Sequence, residues 1–364
     1  MCKPARIARS RCRMSRMESM ASQGAASAPA SRAKRPTIRD VATEAGVSKS
    51  LVSLVYSGGG VSEERRERVL AAAERLGFRP NLTARSLAAA EGDFTGILVA
   101  DLHNPVFAEV VDAARAELAR TGRSALLTAA TTPDAHGEPV VDRRALAVFG
   151  DLRPRSILVV GSVPDMGELA SIAPRTPVVV ASAASGGLQV AATVRSDDGS
   201  GMRLVVDHLL AGGHARIAHI GGRGGVVAEQ RAAAYAAAMR ERGLAAETRV
   251  APSGFSEHAG YAAAMELLAD PAPPTAITCL NDQSAVGALA AAADSDVRVA
   301  VTGYDNSLLA QLRQVSLTSV DPDNAEIGIR AARQIVEAEA GREIVEPEIL
   351  IPPSLIERAS TRPG

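Results

Sequence analysis

The chain has 364 residues, of which 46% are hydrophobic and 2% aromatic, and its formal net charge is −1. This length predicts two or three domains, and no apolar run approaches the ~18 residues of a membrane helix, which excludes an integral membrane protein. Three cysteines, two of them near the N-terminus, cannot complete a disulfide framework and indicate a reducing compartment.

The N-terminal segment is strongly basic. Residues 1–35 hold nine Lys or Arg and one Glu, a net charge of +8, whereas the residues after position 91 have a net charge of −10. This split favours a polyanionic partner at the N-terminus, with a merely solvated tail as the alternative. Residues 1–36 lack apolar periodicity, so we predict a disordered tail. The tail is poor in acids, as a transit peptide would be, and three methionines offer later starts: Met14, Met17 and Met20.

Residues 37–80 have the pattern of a small helical domain. Thr37, Ser48 and Ser62 are predicted to cap three helices, and Gly46 and Gly77 are suitable residues to end two of them. Three short helices after a basic arm, with a tight turn between the first two, are typical of a helix-turn-helix. On periodicity alone, a plain three-helix bundle is an equal alternative.

Beyond residue 92, short apolar runs alternate with amphipathic stretches. This alternation predicts βαβ units with parallel sheets, and the length favours two α/β lobes. The predicted strands are Gly96–Ala100, Ser124–Ala129, Ser156–Val160, Val178–Ala181, Ala191–Val194, Arg216–Ile220, Ala276–Cys279 and Ala300–Thr302. The predicted helices include Phe107–Arg120, Gly199–Ala211, Arg231–Arg242, His258–Leu268 and Ser284–Ala292.

The head carries a specific motif between residues 37 and 87. It reads Thr-Ile-Arg-Asp-Val-Ala from residue 37, Ala-Gly-Val-Ser-Lys-Ser from 45, Val-Ser-Glu-Glu-Arg from 61, Gly-Phe-Arg-Pro-Asn from 77 and Ala-Arg-Ser-Leu from 84. This pattern resembles the head of the lactose-repressor (LacI/GalR) family of bacterial transcription regulators. The resemblance implies sequence-specific binding of double-stranded operator DNA by a protein of the cytoplasm and nucleoid.

The resemblance also implies roles for individual residues of the head. Residues matching Lys49 and Ser50 read base edges, and the residue matching Ser53 holds phosphate. Residues 81–88 become a hinge helix in the minor groove, where the residue matching Leu87 wedges between bases. The expected DNA-binding residues are Thr37, Ser48, Lys49, Ser50, Ser53, Asn81, Ala84, Arg85 and Leu87.

Two positions of the second helix depart from the family pattern. The family usually has threonine where this chain has Leu51, and arginine where it has Leu54. An arginine would donate two hydrogen bonds to a guanine, which Leu54 cannot do. We therefore expect specificity to depend more on Lys49, Ser50 and the hinge.

The rest of the chain resembles the same family more loosely. The resemblance implies a two-lobed α/β body of the periplasmic-binding-protein-like type (type I), with three crossing strands and an effector in the cleft. The landmarks are Asp101–Phe107, Asp207–Leu210, Asn281–Gln283, Gly303–Asn306 and Leu317–Asp321. The predicted domains are a tail (1–36), a helix-turn-helix head (37–80), a hinge helix and linker (81–92), an N-terminal lobe (93–195 plus about 320–346) and a C-terminal lobe (196–319 plus about 347–360).

Candidate effector residues lie at strand ends. Asp101, Asn281 and Asp305 each follow an apolar run, and ligands of open α/β sheets bind at the carboxyl ends of strands. By the resemblance, Arg231 holds the ligand, and Phe107 and Phe255 cover it. Val106 is a further candidate ligand-binding residue, although an apolar side chain there argues against aromatic stacking on a sugar. The alternatives are a turn role for Asp305, a surface ion pair for Arg231 and ordinary core packing for the two phenylalanines.

Enzyme functions find no support. The Gly222-Arg223-Gly224 segment would need a third glycine at Val227 to match a dinucleotide-binding fingerprint, and the six histidines lack metal-ligand spacing. We expect no catalytic residue, metal or cofactor. The predicted function is a homodimeric repressor whose operator binding responds to a small effector, a sugar or related metabolite. A solute-binding protein and an enzyme on the same scaffold are the alternatives.

Overall fold

The structure is a computed structural model that describes residues 36–56, 59–78, 92–134, 139–172 and 176–362. The predicted basic tail and the hinge residues Asn81, Ala84, Arg85 and Leu87 lie outside these ranges. The chain divides into two compact units, Met1–Pro80 and Asn81–Gly364. Within the described ranges, no helix combines the length and apolar character that crossing a membrane requires.

The head contains the three predicted helices: α1 (Ile38–Ala45), α2 (Lys49–Tyr56) and α3 (Glu63–Leu76). Thr37 precedes α1, and its N–H and Oγ1 donate to Asp40 Oδ2 at 2.7 and 2.8 Å. The Ser48 hydroxyl accepts the N–H three residues on at 3.2 Å, as predicted for a cap. Gly46 and Gly77 follow α1 and α3 with φ of 65° and 63°, the left-handed conformation that glycine adopts without strain.

A small aliphatic core joins the three helices of the head. In α2, only Val52 and Val55 are fully buried, since residues three apart share one face of a helix. The same core receives side chains from all three helices: Val41, Ala42, Ala45, Val52, Val55, Val69, Ala72 and Ala73. The opposite face of α2 is left at the protein surface.

The body contains two six-stranded sheets, each covered by helices. The first sheet has the order β13-β7-β6-β5-β1-β2 and is entirely parallel. Its lobe contains β1 (Thr95–Val99), α4 (Pro105–Arg120), β2 (Ala125–Ala129), β3 (Thr131–Pro133), β4 (Pro139–Val141), α5 (Arg143–Asp151), β5 (Ser156–Val160), α6 (Met166–Ile172), β6 (Val178–Ala181), β7 (Ala192–Ser196), α12 (Asn324–Glu339) and β13 (Glu348–Ile351). Strands β3 and β4 form a separate antiparallel hairpin.

The second sheet has the order β14-β12-β11-β10-β8-β9, and only the β12–β14 pair is antiparallel. Its lobe contains α7 (Asp198–Ala211), β8 (Ile217–Gly222), α8 (Val226–Glu241), β9 (Arg249–Ser253), α9 (Glu257–Leu268), β10 (Ala276–Cys279), α10 (Asp282–Ala293), β11 (Ala300–Tyr304), α11 (Leu308–Gln311), β12 (Thr318–Asp321) and β14 (Ser354–Ile356). The predicted two-lobed α/β class is therefore confirmed.

The chain passes between the lobes three times. It leaves the first sheet after β7, returns after β12 to form α12, and leaves again between β13 and β14. The predicted lobe boundary near residue 347 is too early, because Glu348–Ile351 pairs in parallel with β7 of the first sheet. The last passage is at Pro352 and Pro353, which cannot donate ladder hydrogen bonds.

Both sheets are buried on two faces, which explains the continuous apolar runs in the sequence. All five residues of β1, β5 and β11 are buried. The scarcity of aromatic residues is compensated by close helix packing: a Cβ at Gly287 of α10 would lie 2.1 Å from the Glu257 carbonyl oxygen of α9. Small residues therefore let the helices pack closely where large side chains are few.

Candidate DNA-binding face and effector site

The first candidate site is the outward face of α2. Lys49, Ser50 and Ser53 are exposed there, on the side away from the buried valines. Thr37 and Ser48 are also exposed, and both have local structural roles at the starts of α1 and α2. The described part of the predicted DNA-binding set thus lies on accessible surface.

The candidate effector residues lie in two groups, at the carboxyl edges of the two sheets. Asp101, Val106 and Phe107 follow β1 in the first lobe. The others belong to the second lobe: Arg231, Phe255, Asn281 and Asp305. This placement follows from parallel strands, whose carboxyl ends share one edge.

Arg231 is the centre of the second-lobe group and is almost completely buried. Its Nε donates to Asp198 Oδ1 at 2.9 Å, and its Nη1 donates to the Leu280 carbonyl at 2.6 Å and to Asp305 Oδ1 at 3.4 Å. The guanidinium carbon lies 3.5 Å from the centroid of the Tyr304 ring, a cation–π contact. The expected alternative of a surface ion pair for Arg231 is therefore wrong.

This Arg231 cluster also touches the first passage between the lobes. Tyr304 Oη lies 3.2 Å from the hydroxyl of Ser196, the last residue of β7 in the first sheet. Asp198, which begins α7 immediately after that strand, is the main carboxylate partner of Arg231. A ligand that alters this cluster would therefore act at a junction of the two lobes.

Arg231 contacts two carboxylates, Asp198 and Asp305, and the carboxylate of Asp282 lies close enough to influence Asp305. Asp282 is also buried, and its carboxylate accepts from the Ser307 N–H at 2.7 Å and the Ser319 hydroxyl at 2.6 Å. Burial raises the pKa of Asp305 to about 7; Arg231 opposes this shift, and the neighbouring Asp282 charge adds to it. Burial likewise raises the pKa of Asp282 to about 6. Burial lowers the pKa of Arg231, but the negative charges of Asp198 and Asp305 outweigh this effect. The pKa of Arg231 is therefore raised overall, and the guanidinium stays charged.

Asn281 and Phe255 are linked to each other. Asn281 Oδ1 caps α10 by accepting the Ser284 N–H at 2.9 Å, and its Nδ2 donates to the Phe255 carbonyl at 3.0 Å. The Phe255 ring lies against the glycine turn before α8, since a Cβ at Gly224 would be 2.9 Å from its Cε2. Asn281 therefore positions the loop that carries Phe255, and its amide is already engaged within the protein.

The first-lobe group is more loosely organised. Asp101 Oδ1 accepts the His103 N–H at 2.8 Å, and the Asp101 side chain is 56% exposed. Val106 is buried, whereas Phe107 is partly buried. The Phe107 ring packs against Gly161, since a Cβ at Gly161 would lie only 2.5 Å from the Phe107 Cζ. Gly161 has a φ of +88°, so glycine meets both the conformational and the steric requirement.

Sequence reasoning missed three members of the second-lobe site: Asp198, Asp282 and Tyr304. Asp198 follows the carboxyl end of β7 just as Asp305 follows β11, so the rule that selected Asp305 would also have found it. Asp282 directly follows the predicted Asn281, so its position at a strand end was also visible in the sequence. Tyr304 gave no signal of its own, because a tyrosine at a strand end is equally consistent with core packing.

We expect Asp305 to make stability depend on pH. Its folded pKa of about 7 lies above the ordinary value, so its contribution to stability is full at acidic pH and is lost as the pH rises through about 7. The free energy of unfolding of the wild type should therefore fall between about pH 5 and about pH 8 relative to Asp305→Asn, by at most about 1.4 kcal/mol per pH unit.

Urea unfolding of both proteins at the two pH values checks this expectation. The exposed Asp207→Asn serves as the matched control, because Asp207 pairs with Arg242 at the protein surface. Parallel pH dependences in the wild type and Asp305→Asn would contradict a raised pKa for Asp305.

Comparison with known proteins matches both parts of the chain. Residues 37–81 match the family described as bacterial regulatory proteins, lacI family, and residues 206–361 match the periplasmic binding protein-like domain. The maltose regulon regulatory protein MalI of Escherichia coli K12 is 30% identical over 342 residues, covering 89% of this chain and 98% of MalI. The regulator DegA of Bacillus subtilis is 28% identical over 339 residues, covering 90% of this chain and 99% of DegA.

Solved structures agree with these matches. The lac repressor dimer bound to operator and the anti-inducer ONPF has a TM-score of 0.77 at 25% identity, covering 90% of this chain and 99% of that chain. A LacI transcriptional regulator from a Rhodococcus species has a TM-score of 0.66 at 30% identity, covering 73% of this chain and 97% of that chain. With its helix-turn-helix head and two-lobed body, the chain belongs to the LacI family of bacterial regulatory proteins and is a DNA-binding transcription regulator.

Proposed function

We propose that this regulator is a homodimeric repressor whose operator affinity is set by a small molecule bound between the carboxyl edges of the two sheets. The observation that carries the proposal is the Arg231 cluster, a buried guanidinium held by Asp198, Asp305 and Tyr304 where the lobes join. Groups with strongly shifted pKa values cluster at functional sites more often than elsewhere. The proposed function requires no catalysis and places the protein on DNA in the cytoplasm.

The effector is a neutral, hydroxyl-bearing molecule such as a sugar. Asp305, whose side chain is 13% exposed, is the less buried of the two carboxylates that Arg231 contacts, and among the described residues Arg231 Nη2 donates no hydrogen bond, so its two N–H groups are available to a ligand. A carboxylate and a guanidinium side by side match adjacent hydroxyl groups, and Arg231 already contacts two carboxylates, Asp198 and Asp305, which makes it a weaker partner for an anion. A similar structure, described as a transcriptional regulator CelR–cellobiose complex, has 26% identity and a TM-score of 0.63.

Control of DNA binding requires that the effector binds two states of the body unequally, since a ligand with equal affinity shifts no equilibrium. We assign the two states to different arrangements of the lobes about the three passages. We assign DNA reading to the exposed face of α2, with the segment from Asn81 to Leu87 as the hinge. The two heads of a dimer would read half-sites about one helical turn apart.

Selection of bound sequences from random DNA, followed by titration of the selected operator with neutral mono- and disaccharides, tests the proposal. We expect a near-palindrome, and at least one sugar, with cellobiose among those tested, that changes operator affinity about 5- to 150-fold. Enrichment of a sequence without binding of any sugar would contradict the effector assignment alone. Failure to enrich any sequence, with or without the sugars, would contradict the operator-binding assignment.

A further inference from the structure

The outward face of α2 carries a large apolar side chain as well as polar ones. Helix geometry turns each residue by 100°, so Leu54 lies about 40° from Ser50, about 160° from the buried Val52 and about 100° from the buried Val55. The Leu54 side chain is 42% exposed. An exposed leucine beside Ser50 on this face can make an apolar contact in the bound state, which polar groups that bind phosphate do not provide.

Leu54 is also held in place by the loop that follows α2. The Leu54 side chain lies directly against Gly59, since a Cβ at Gly59 would be 2.3 Å from Leu54 Cδ1 and would require the leucine to move. The Gly59 N–H donates to the Leu54 carbonyl at 3.0 Å. Arg66 of α3 donates to the Gly59 and Val55 carbonyls at 3.4 and 3.5 Å. These hydrogen bonds order the backbone against which the Leu54 side chain lies, which reduces the entropy lost on binding.

In a helix-turn-helix, the second helix enters the major groove and its outward side chains meet base edges. The distinctive apolar group on those edges is the C5-methyl of thymine. We propose that Leu54 packs against the 5-methyl group of a thymine in each half-site of the operator. This inference rests on DNA binding by the head and is independent of the effector.

The contact makes Leu54 a specificity-determining residue that reads an A·T pair without a hydrogen bond. When uracil replaces thymine, Leu54 loses the methyl contact, although the Watson–Crick and major-groove hydrogen-bonding groups of the base pair are unchanged. Burial of one methyl group changes an affinity by about fourfold, so the effect is about fourfold per half-site. An arginine at position 54 reads guanine instead, through two donated hydrogen bonds.

Replacing thymines by deoxyuridine in the selected operator tests the contact, because this change removes only the methyl group. We expect one thymine per half-site at which deoxyuridine weakens wild-type binding about fourfold. The Leu54→Ala variant should bind the thymine operator more weakly than the wild type does. Replacing that thymine by deoxyuridine should not weaken the binding of the variant any further. Selection with Leu54→Arg enriches guanine in place of that A·T pair.

The matched control is Leu70→Ala, since Leu70 of α3 is similarly exposed but lies outside α2. It retains the wild-type response to deoxyuridine, which separates the contact from general effects of removing a surface leucine. The inference is overturned if no thymine is sensitive, or if Leu54→Ala keeps the full sensitivity. It is also overturned if Leu54→Ala leaves operator affinity intact but changes oligomeric state, which would assign this face to a protein contact. If the protein enriches no DNA sequence, the result contradicts operator binding by the head and not only the contact of Leu54.

Discussion

Replacing Arg231 with methionine is expected to lower the free energy of unfolding of the body by about 3–5 kcal/mol, the usual cost of removing one partner from a buried ion pair. Methionine keeps part of the side-chain volume but leaves Asp198 and Asp305 without the guanidinium that both contact. The cost should be smaller at acidic pH, because protonation of the carboxylates removes the uncompensated charge. The variant should also lose any response of operator binding to an effector.

Urea unfolding followed by circular dichroism measures the stability change, since the chain has no tryptophan. Arg242→Met is the matched control, because Arg242 forms an ion pair with the half-exposed Asp207 and should change stability by less than about 1 kcal/mol. Adding Asp305→Asn to Arg231→Met should restore part of the lost stability, because Asp305 loses its guanidinium partner whereas Asp198 keeps an ion pair with Arg195 at 3.8 Å. A neutral effect of Arg231→Met, or an intact effector response in the folded variant, would refute the assigned role of the cluster.

Leu87→Ala is expected to weaken operator binding by about a hundredfold in a dimer, from about tenfold for each leucine. The expectation follows from the resemblance of residues 81–88 to a hinge helix whose leucine wedges into the minor groove. Binding to random DNA of the same length should change little, because phosphate contacts dominate nonspecific binding. Salt-matched titrations of both DNAs provide the measurement.

Leu87→Met is the matched control for the wedge. Methionine keeps an apolar side chain of similar volume, so we expect operator affinity close to that of the wild type. Equal losses on operator and random DNA in Leu87→Ala would refute the wedge and indicate a general defect of the head or hinge. If Leu87→Ala and Leu87→Met lost operator affinity equally, the loss would not depend on the apolar volume of the side chain, which would also contradict the wedge.

Elements with a strong local signal were predictable, whereas strands with a mixed pattern or a distant partner were harder to assign. The run Ser156–Val160 is buried on both faces and was predicted with its observed bounds, because a central parallel strand is apolar throughout. Strand β9 (Arg249–Ser253) was missed, since it mixes buried and exposed residues and contains Pro252, which cannot donate a ladder hydrogen bond. Strand β13 was assigned to the wrong lobe, because its partner β7 lies about 150 residues earlier, as the pairing of Glu348 with Thr193 shows.

The sequence by itself determined the three head helices, the two α/β lobes and the strand ends at which Asp101, Asn281 and Asp305 lie, because these follow from local periodicity and capping. Only the tertiary structure decided which charges meet. Asp198 and Asp305 both contact Arg231 although 107 residues separate them, and the Tyr304 ring covers the same guanidinium. Such contacts depend on how distant strands bring their carboxyl ends to one edge, and no local pattern of residues encodes that pairing.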